Sequence, residues 1–199
     1  MYDKEYWNRI GVDLQTLNIN FVYPIDQYYI NRKINPEPKY YYNHNDLCYA
    51  YLLGQDKQGI NNIKLYFPNR DKKSTRFITN CNHLEGIYNL DNYNYDIIVI
   101  TKSTKDRLAI RCWWEHNSFL YGGLKVGLIN IPHETYKLRQ NEYDWLTSKL
   151  SNNGRIISLM DRDKTGKLEA KYLKDNYNII PLLIPKEFNS KDFAELVQK

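Results

Sequence analysis

Residues 155–173 read RIISLMDRDKTGKLEAKYL: an apolar run, two acids one residue apart, a glycine, then a helical pattern. RIISLM, residues 155–160, is apolar from Ile156 onward apart from its serine, as strands covered on both faces tend to be. The helix expected over residues 165–175 follows with almost no connection, which is how a βα unit of a parallel sheet is built. Two carboxylates at the strand tip repel each other, so Asp161 and Asp163 call for a cation between them.

The same alternation runs from Asp96 onward. Strands are expected at DIIVIT (96–101), VGLINI (126–131), RIISLM and YNIIPLLI (177–184). Helices are expected at about 104–115, with Leu108, Ala109, Cys112 and Trp113 on one face, and near 139–151, 165–175 and 190–198. Trp113 and Trp114 read as core and partial core of the first of these helices. The first 90 residues differ, with short runs such as FVYPI, LCYAYLL and IKLYF broken by Pro, Asn and Asp. The expected fold is therefore α/β, a mainly parallel sheet flanked by helices over residues 94–199, preceded by a small α+β subdomain over residues 1–93.

Composition sets the outer bounds. A formal charge of +5 on 199 residues favours an anionic partner without requiring one. Cys48, Cys81 and Cys112 form no CxxC pair, which suits reduced thiols in a cytoplasm, and Cys81-Asn-His83 lacks a second ligand pair at zinc spacing. No stretch approaches the roughly 20 apolar residues of a membrane helix, so a soluble protein without a membrane partner is expected. The 19 tyrosines accompany abundant Asn, Ile and Lys, a bias that discounts clusters such as Tyr40, Tyr41 and Tyr42 as stacking platforms.

Residues at i and i+2 on an extended segment point the same way, so Asp161 and Asp163 can converge on one spot. That spot lies beyond the carboxyl end of a strand, where parallel α/β sheets place ligands, and a Mg²⁺ or Mn²⁺ ion there would offset the repulsion. The plainer alternative is that DRDKTG caps the following helix through Asp163 or Thr165. A second strand tip carries a further acid: in DIIVITKSTKDRLAI, residues 96–110, Asp106 lies one helical turn past the strand. His116 and His133 are isolated, and Ser103 and Ser158 lack an evident His or Asp partner, so covalent catalysis is not expected.

The stretch KLYFPNRDKKSTR, residues 64–76, sets Lys64, Arg70, Lys72, Lys73 and Arg76 against Asp71, a local balance of +4. Read as a hairpin with strands LYF and RFIT, it would present the charge of its loop NRDKKS to the phosphates of a single strand. An ordinary solvated loop is the alternative.

These motifs together resemble the Toprim domain of bacterial (DnaG-type) and phage DNA primases, topoisomerases and related nucleases. In that family a first strand ends in a glutamate-glycine signature followed by an acid, and a later strand ends in D-x-D with a glycine soon after. Residues 100–106, ITKSTKD, match the first motif except at its head, and residues 161–166, DRDKTG, match the second. PKEFNSKDFAEL, residues 185–196, is similar to the tail segment of primase-type members, with Lys191 and Asp192 at its lysine-aspartate pair. YPIDQYYI, CYAYLL and KLYFPNRDKKSTRFITN resemble the subdomain that precedes Toprim in phage primases.

Lys102 stands where the family has glutamate, and Ser103 where it has glycine. Glu85-Gly86 does not replace that motif, because Glu85 follows CNHL rather than ending an apolar strand. The resemblance implies metal-dependent synthesis of RNA primers on single-stranded DNA in phage or mobile-element replication. Asp161, Asp163 and Asp106 would hold Mg²⁺ or Mn²⁺, Lys102 would position phosphate, and Lys191 would join the basic residues 64–76 in contacting nucleic acid or phosphate. Ribonucleotides and single-stranded DNA are the implied partners, with a replicative helicase as a further one. The loss of the glutamate leaves two alternatives open, a Toprim nuclease and a degenerate module that binds nucleic acid or recruits partners. The chain can equally be one piece of a longer primase-helicase polypeptide.

Overall fold

The computed structural model describes residues 3–71, 73–90 and 94–198. Two short helices open the chain, α1 (Lys4–Arg9) and α2 (Leu14–Ile19). The chain forms two compact units, one comprising Asp3 with Leu17–Asn82, the other Lys4–Thr16 with the residues from His83 on.

The first unit carries β1 (Val22–Pro24), β2 (Gln27–Tyr28), β3 (Tyr40–Tyr41), β4 (Tyr49–Gln55), β5 (Asn61–Tyr66) and β6 (Phe77–Thr79). Among the described residues, β1, β4, β5 and β6 pair antiparallel in that order, and β2 pairs with β3. The hairpin read from LYF and RFIT is present, with Lys64, Leu65 and Tyr66 opposite Thr79, Ile78 and Phe77. Tyr40, Cys48 and Phe67 form a buried cluster beneath it, packed by Leu65 and Ile78.

The second unit continues through β7 (Tyr95–Thr101), α3 (Thr104–Asn117), β8 (Val126–Asn130), α4 (Gln140–Thr147), β9 (Leu150–Leu159), α5 (Lys164–Tyr177), β10 (Ile180–Leu182) and α6 (Phe193–Leu196). Its sheet is parallel throughout, in the order β10-β9-β7-β8. β7 is paired on both edges and is covered on both faces, with Ile98 and Ile100 buried on one and Val99 on the other, which is why DIIVIT carries no alternating polar face. One face of the sheet packs Ile98, Ile100, Ile129 and Ile156 with Met160 and Leu173, and another cluster packs Val99 and Leu128 with Ile110 of α3. Each fully buried side chain of this kind contributes roughly 1.5–3 kcal/mol. The architecture is the α/β one expected, a parallel sheet flanked by helices with an antiparallel N-terminal sheet.

Several local expectations shift. The helix near 139–151 stops at Thr147, and Leu150 already pairs with Tyr95 as the first residue of β9, because Leu146 and Leu150 fit a helical and an extended pattern alike. The strand expected at 177–184 shrinks to Ile180–Leu182: Tyr177 still belongs to α5, and Asn178 ends that helix in the left-handed conformation at φ 53°. Pro181 donates no hydrogen bond and so suits this edge position. The helix near 190–198 is confined to α6 because Asp192 caps it. Trp113 is not core but 37 % exposed, and Trp114 stacks on Tyr121 with ring centroids 5.4 Å apart. The buried face of α3 is instead formed by Arg107, Leu108 and Cys112 with their neighbours. Among the described residues no helix is long and apolar enough to cross a membrane.

Candidate functional site

The loop from β7 into α3 turns on Ser103, the N-cap of that helix, held extended at φ −144° and ψ 157°. Its Oγ accepts from the Asp106 amide at 3.2 Å and donates to Asp106 Oδ2 at 2.6 Å, so Ser103 has an acidic partner after all, in a cap rather than a nucleophile arrangement. Asp106 is thereby fixed in the first helical turn, where the helix dipole favours negative charge, and is only 4 % exposed. Its Oδ1 accepts from the Ala194 amide at 3.1 Å. Burial, followed by the charge of Asp192, pushes the Asp106 carboxyl above the usual carboxylate range.

At the tip of β9, α5 starts so close to the strand that a Cβ on Gly166 would lie 2.2 Å from the carbonyl oxygen of Asp161. Only glycine permits this approach. Asp163 is the N-cap of α5, its Oδ1 accepting from the Gly166 amide at 2.9 Å, so the capping alternative is realised. The two carboxylates nevertheless converge as the i, i+2 spacing predicts. Lys191 Nζ lies 3.1 Å from Asp161 Oδ2 and 3.1 Å from Asp163 Oδ2, so the cation between the two acids is an ammonium of the chain itself. Burial raises the Asp161 carboxyl while Lys191 pulls it back, whereas the Gly166 amide holds Asp163 low with help from Lys191. Burial works against the charge on Lys191, and its contacts with Asp163 and Asp161 outweigh it, leaving the ammonium above its usual range.

The tail supplies the third wall. The Arg162 amide donates to the Lys191 carbonyl at 2.9 Å and Arg162 Nη1 to the Ser190 carbonyl at 3.1 Å, pinning residues 190–191 against the β9 tip. Asp192 follows as the N-cap of α6, its Oδ1 accepting from the Glu195 amide at 2.8 Å and its Oδ2 lying 3.3 Å from Lys105 Nζ. One carboxylate oxygen each from Asp106, Asp161 and Asp192 lie within 4.8 Å of one another. These three hard oxygen donors suit Mg²⁺ or Mn²⁺ rather than a soft metal. Asp163, expected in this set, is turned to its cap and to Lys191. Asp192 takes its place, and the signal for it was the lysine-aspartate pair after the last strand.

Lys102 lies at the same edge, its side chain 8 % exposed and its Nζ without a hydrogen-bond partner among the described residues. Glu134 Oε1 is 3.8 Å away, and the positive charge acts on both Asp161 and Asp163. Glu85 is buried against the start of α3 and the end of β8, accepting from Thr104 Oγ1 at 2.5 Å and Asn130 Nδ2 at 2.8 Å in a network that braces α3 against β8. A second mixed cluster, Asp13, Cys112 and His116, borders a pocket of about 420 Å³. Asp13 there caps α2 through the Thr16 amide at 2.7 Å and burial raises the Cys112 thiol, which suits a structural role better than a thiolate ligand.

In the first unit the basic residues are not uniformly displayed. Lys64 is buried, with Nζ 4.9 Å from the Phe77 ring centroid, because its position in β5 puts it under that ring. Arg70 makes a two-point contact with Asp46, at 2.8 and 2.6 Å, and lies over the Phe67 ring at 3.5 Å. Arg76 is half-buried 5.9 Å from the Tyr66 ring, and Lys73 is exposed. Lys72 lies outside the described residues.

A parallel α/β unit thus carries carboxylates gathered at one edge of its sheet, and an antiparallel sheet precedes it in sequence. The chain is similar to one in the structure of bacteriophage T7 lagging-strand DNA polymerase interacting with primase domains of two gp4 subunits bound to an RNA/DNA hybrid and dTTP, with a TM-score of 0.55 at 14 % identity, covering 93 % of this chain and 80 % of that one. No protein-family model and no curated protein matches the chain.

Proposed function

We propose that the chain is a Toprim-type primase core that joins ribonucleotides on a single-stranded DNA template in phage or mobile-element replication. The observation that carries this reading is the convergence of Asp106, Asp161 and Asp192, from three separate elements, at the carboxyl edge of the parallel sheet of a primase-like fold. A bound Mg²⁺ or Mn²⁺ would neutralise charge developing on a transferring phosphoryl group. Asp161, Asp192 and Asp106 would hold that ion, with Asp106 braced by Ser103 and the Ala194 amide. Lys102 supplies a fixed positive charge for a phosphate of the incoming nucleotide, at a position where desolvation strengthens the contact. Lys73 and Arg76 of the first unit, with Lys72 beside them in sequence, contact the template backbone. A replicative helicase is the natural partner for such a core.

Primer synthesis from ribonucleotides on single-stranded DNA, with Mn²⁺ or Mg²⁺, tests the reading. Wild-type product and a loss of about 100-fold or more in Asp161→Ala are expected. Equal product from the variant would remove Asp161 from the mechanism.

A second reading is favoured by Lys102 itself: a non-catalytic module that binds single strands, with its acids internally neutralised. Retained single-strand affinity without primer synthesis in the wild type would select it, and degradation of a labelled strand without added nucleotides would select a nuclease.

A further inference from the structure

We propose that Lys191 is a tethered cation that fills one of two cation positions at the strand tips, so that the centre takes a single divalent ion, on Asp106, Asp161 and Asp192. The inference rests on the metal-binding part of the reading above and adds the number of ions and the residue that sets it.

Three observations carry it. Lys191 Nζ sits 3.1 Å from an oxygen of each aspartate of the D-x-D pair, a bridging position between two convergent carboxylates. The Lys191 main chain is anchored beside the acids, since its carbonyl accepts from the Arg162 amide at 2.9 Å and its amide donates to Glu195 Oε2 at 2.6 Å. Lys102, buried without a hydrogen-bond partner among the described residues, adds a further positive charge facing Asp161 and Asp163.

Charge balance points the same way. Asp106, Asp161, Asp163 and Asp192, with Glu134 beside Lys102, are faced by the ammonium groups of Lys102, Lys105 and Lys191, so five acids meet three cations and at most two negative charges are uncompensated. One divalent ion brings such a centre to neutrality. Two would stack positive charge on positive charge with no acid left to offset it. Lys191 thus serves as a positioning residue: it neutralises Asp163 and one side of Asp161 and leaves the other side of Asp161 to the ion.

Mn²⁺ titration of the full chain, followed by electron paramagnetic resonance of the free ion, reads the stoichiometry directly. Wild type is expected to bind one ion, Lys191→Met two, and Lys191→Met with Asp163→Asn one again. Lys191→Arg keeps a tethered cation and is expected to bind one. Circular dichroism establishes that each variant is folded, and should Lys191→Met fail to fold, the wild-type stoichiometry still decides. Two ions on the wild type, or one on a folded Lys191→Met, would overturn the inference and leave the primase reading standing. No ion on the wild type would overturn the metal-dependent reading together with it.

Discussion

Gly166 sets how closely α5 approaches the Asp161 carbonyl, and through it where the Asp161 carboxylate points. A Cβ 2.2 Å from a backbone oxygen cannot be absorbed by a side-chain rotation. Gly166→Ala is expected to cost about 1–3 kcal/mol or more, read as a lowered denaturant midpoint with an unchanged slope. Asp96 gives a pH-dependent contribution. The Lys125 amide at 2.9 Å and then the Ser151 hydroxyl at 3.0 Å hold its carboxyl below the usual carboxylate value. Its folded value lies below its unfolded one, so its stabilisation is present above about pH 4 and is lost as pH falls through the folded value. Asp96→Asn should therefore have a lower urea midpoint than wild type at pH 7, with the gap narrowing toward pH 3. An equal gap at both values would show that the charge is immaterial. The D-x-D spacing revealed that Asp161 and Asp163 converge, but the cation between them comes from a residue 28 positions beyond Asp163. Spacing alone does not disclose a partner of that range.

The hairpin of β5 and β6 shows how an element reassigns its charges. Its pairing was legible because the short apolar runs in LYF and RFIT flank a polar loop, yet that pattern does not say that Lys64 packs under Phe77 or that Arg70 reaches Asp46 across 24 residues. Basic residues in a run are commonly counted as one surface, but here two of them serve the fold. Single-strand binding measured over a range of salt separates the roles. Lys73→Ala is expected to reduce the slope of log affinity against log salt by about 0.7, the value for one phosphate contact on a single strand. Arg70→Ala is expected to leave the slope unchanged and to lower thermal stability instead. The reverse pattern would place Arg70 on the nucleic acid. β10 is the complementary case: YNIIPLLI reads as a long apolar strand, while Pro181 and the left-handed Asn178 reduce it to three edge residues.

Across the whole chain, the parallel sheet was the most legible part. β7 brings the run Ile97–Ile100 to the core, and β8 and β9 add the shorter apolar runs Leu128–Ile129 and Ile156–Ile157, a pattern with few alternatives once helical stretches separate the strands. Of the three clustered acids, Asp106 and Asp161 stood out in the sequence, one in the helical turn after β7 and one at the tip of β9. Asp192 follows the short 3-10 turn Lys186–Phe188 and joins them only by tertiary docking of the tail, which no local period encodes. Mn²⁺ affinity measured for Asp161→Asn, Asp192→Asn and Asp163→Asn against wild type therefore tests the three-acid centre most directly. The first two are expected to lose binding by about 10-fold or more while Asp163→Asn retains it within a few-fold. Loss of binding in Asp163→Asn with full retention in Asp192→Asn would contradict the account.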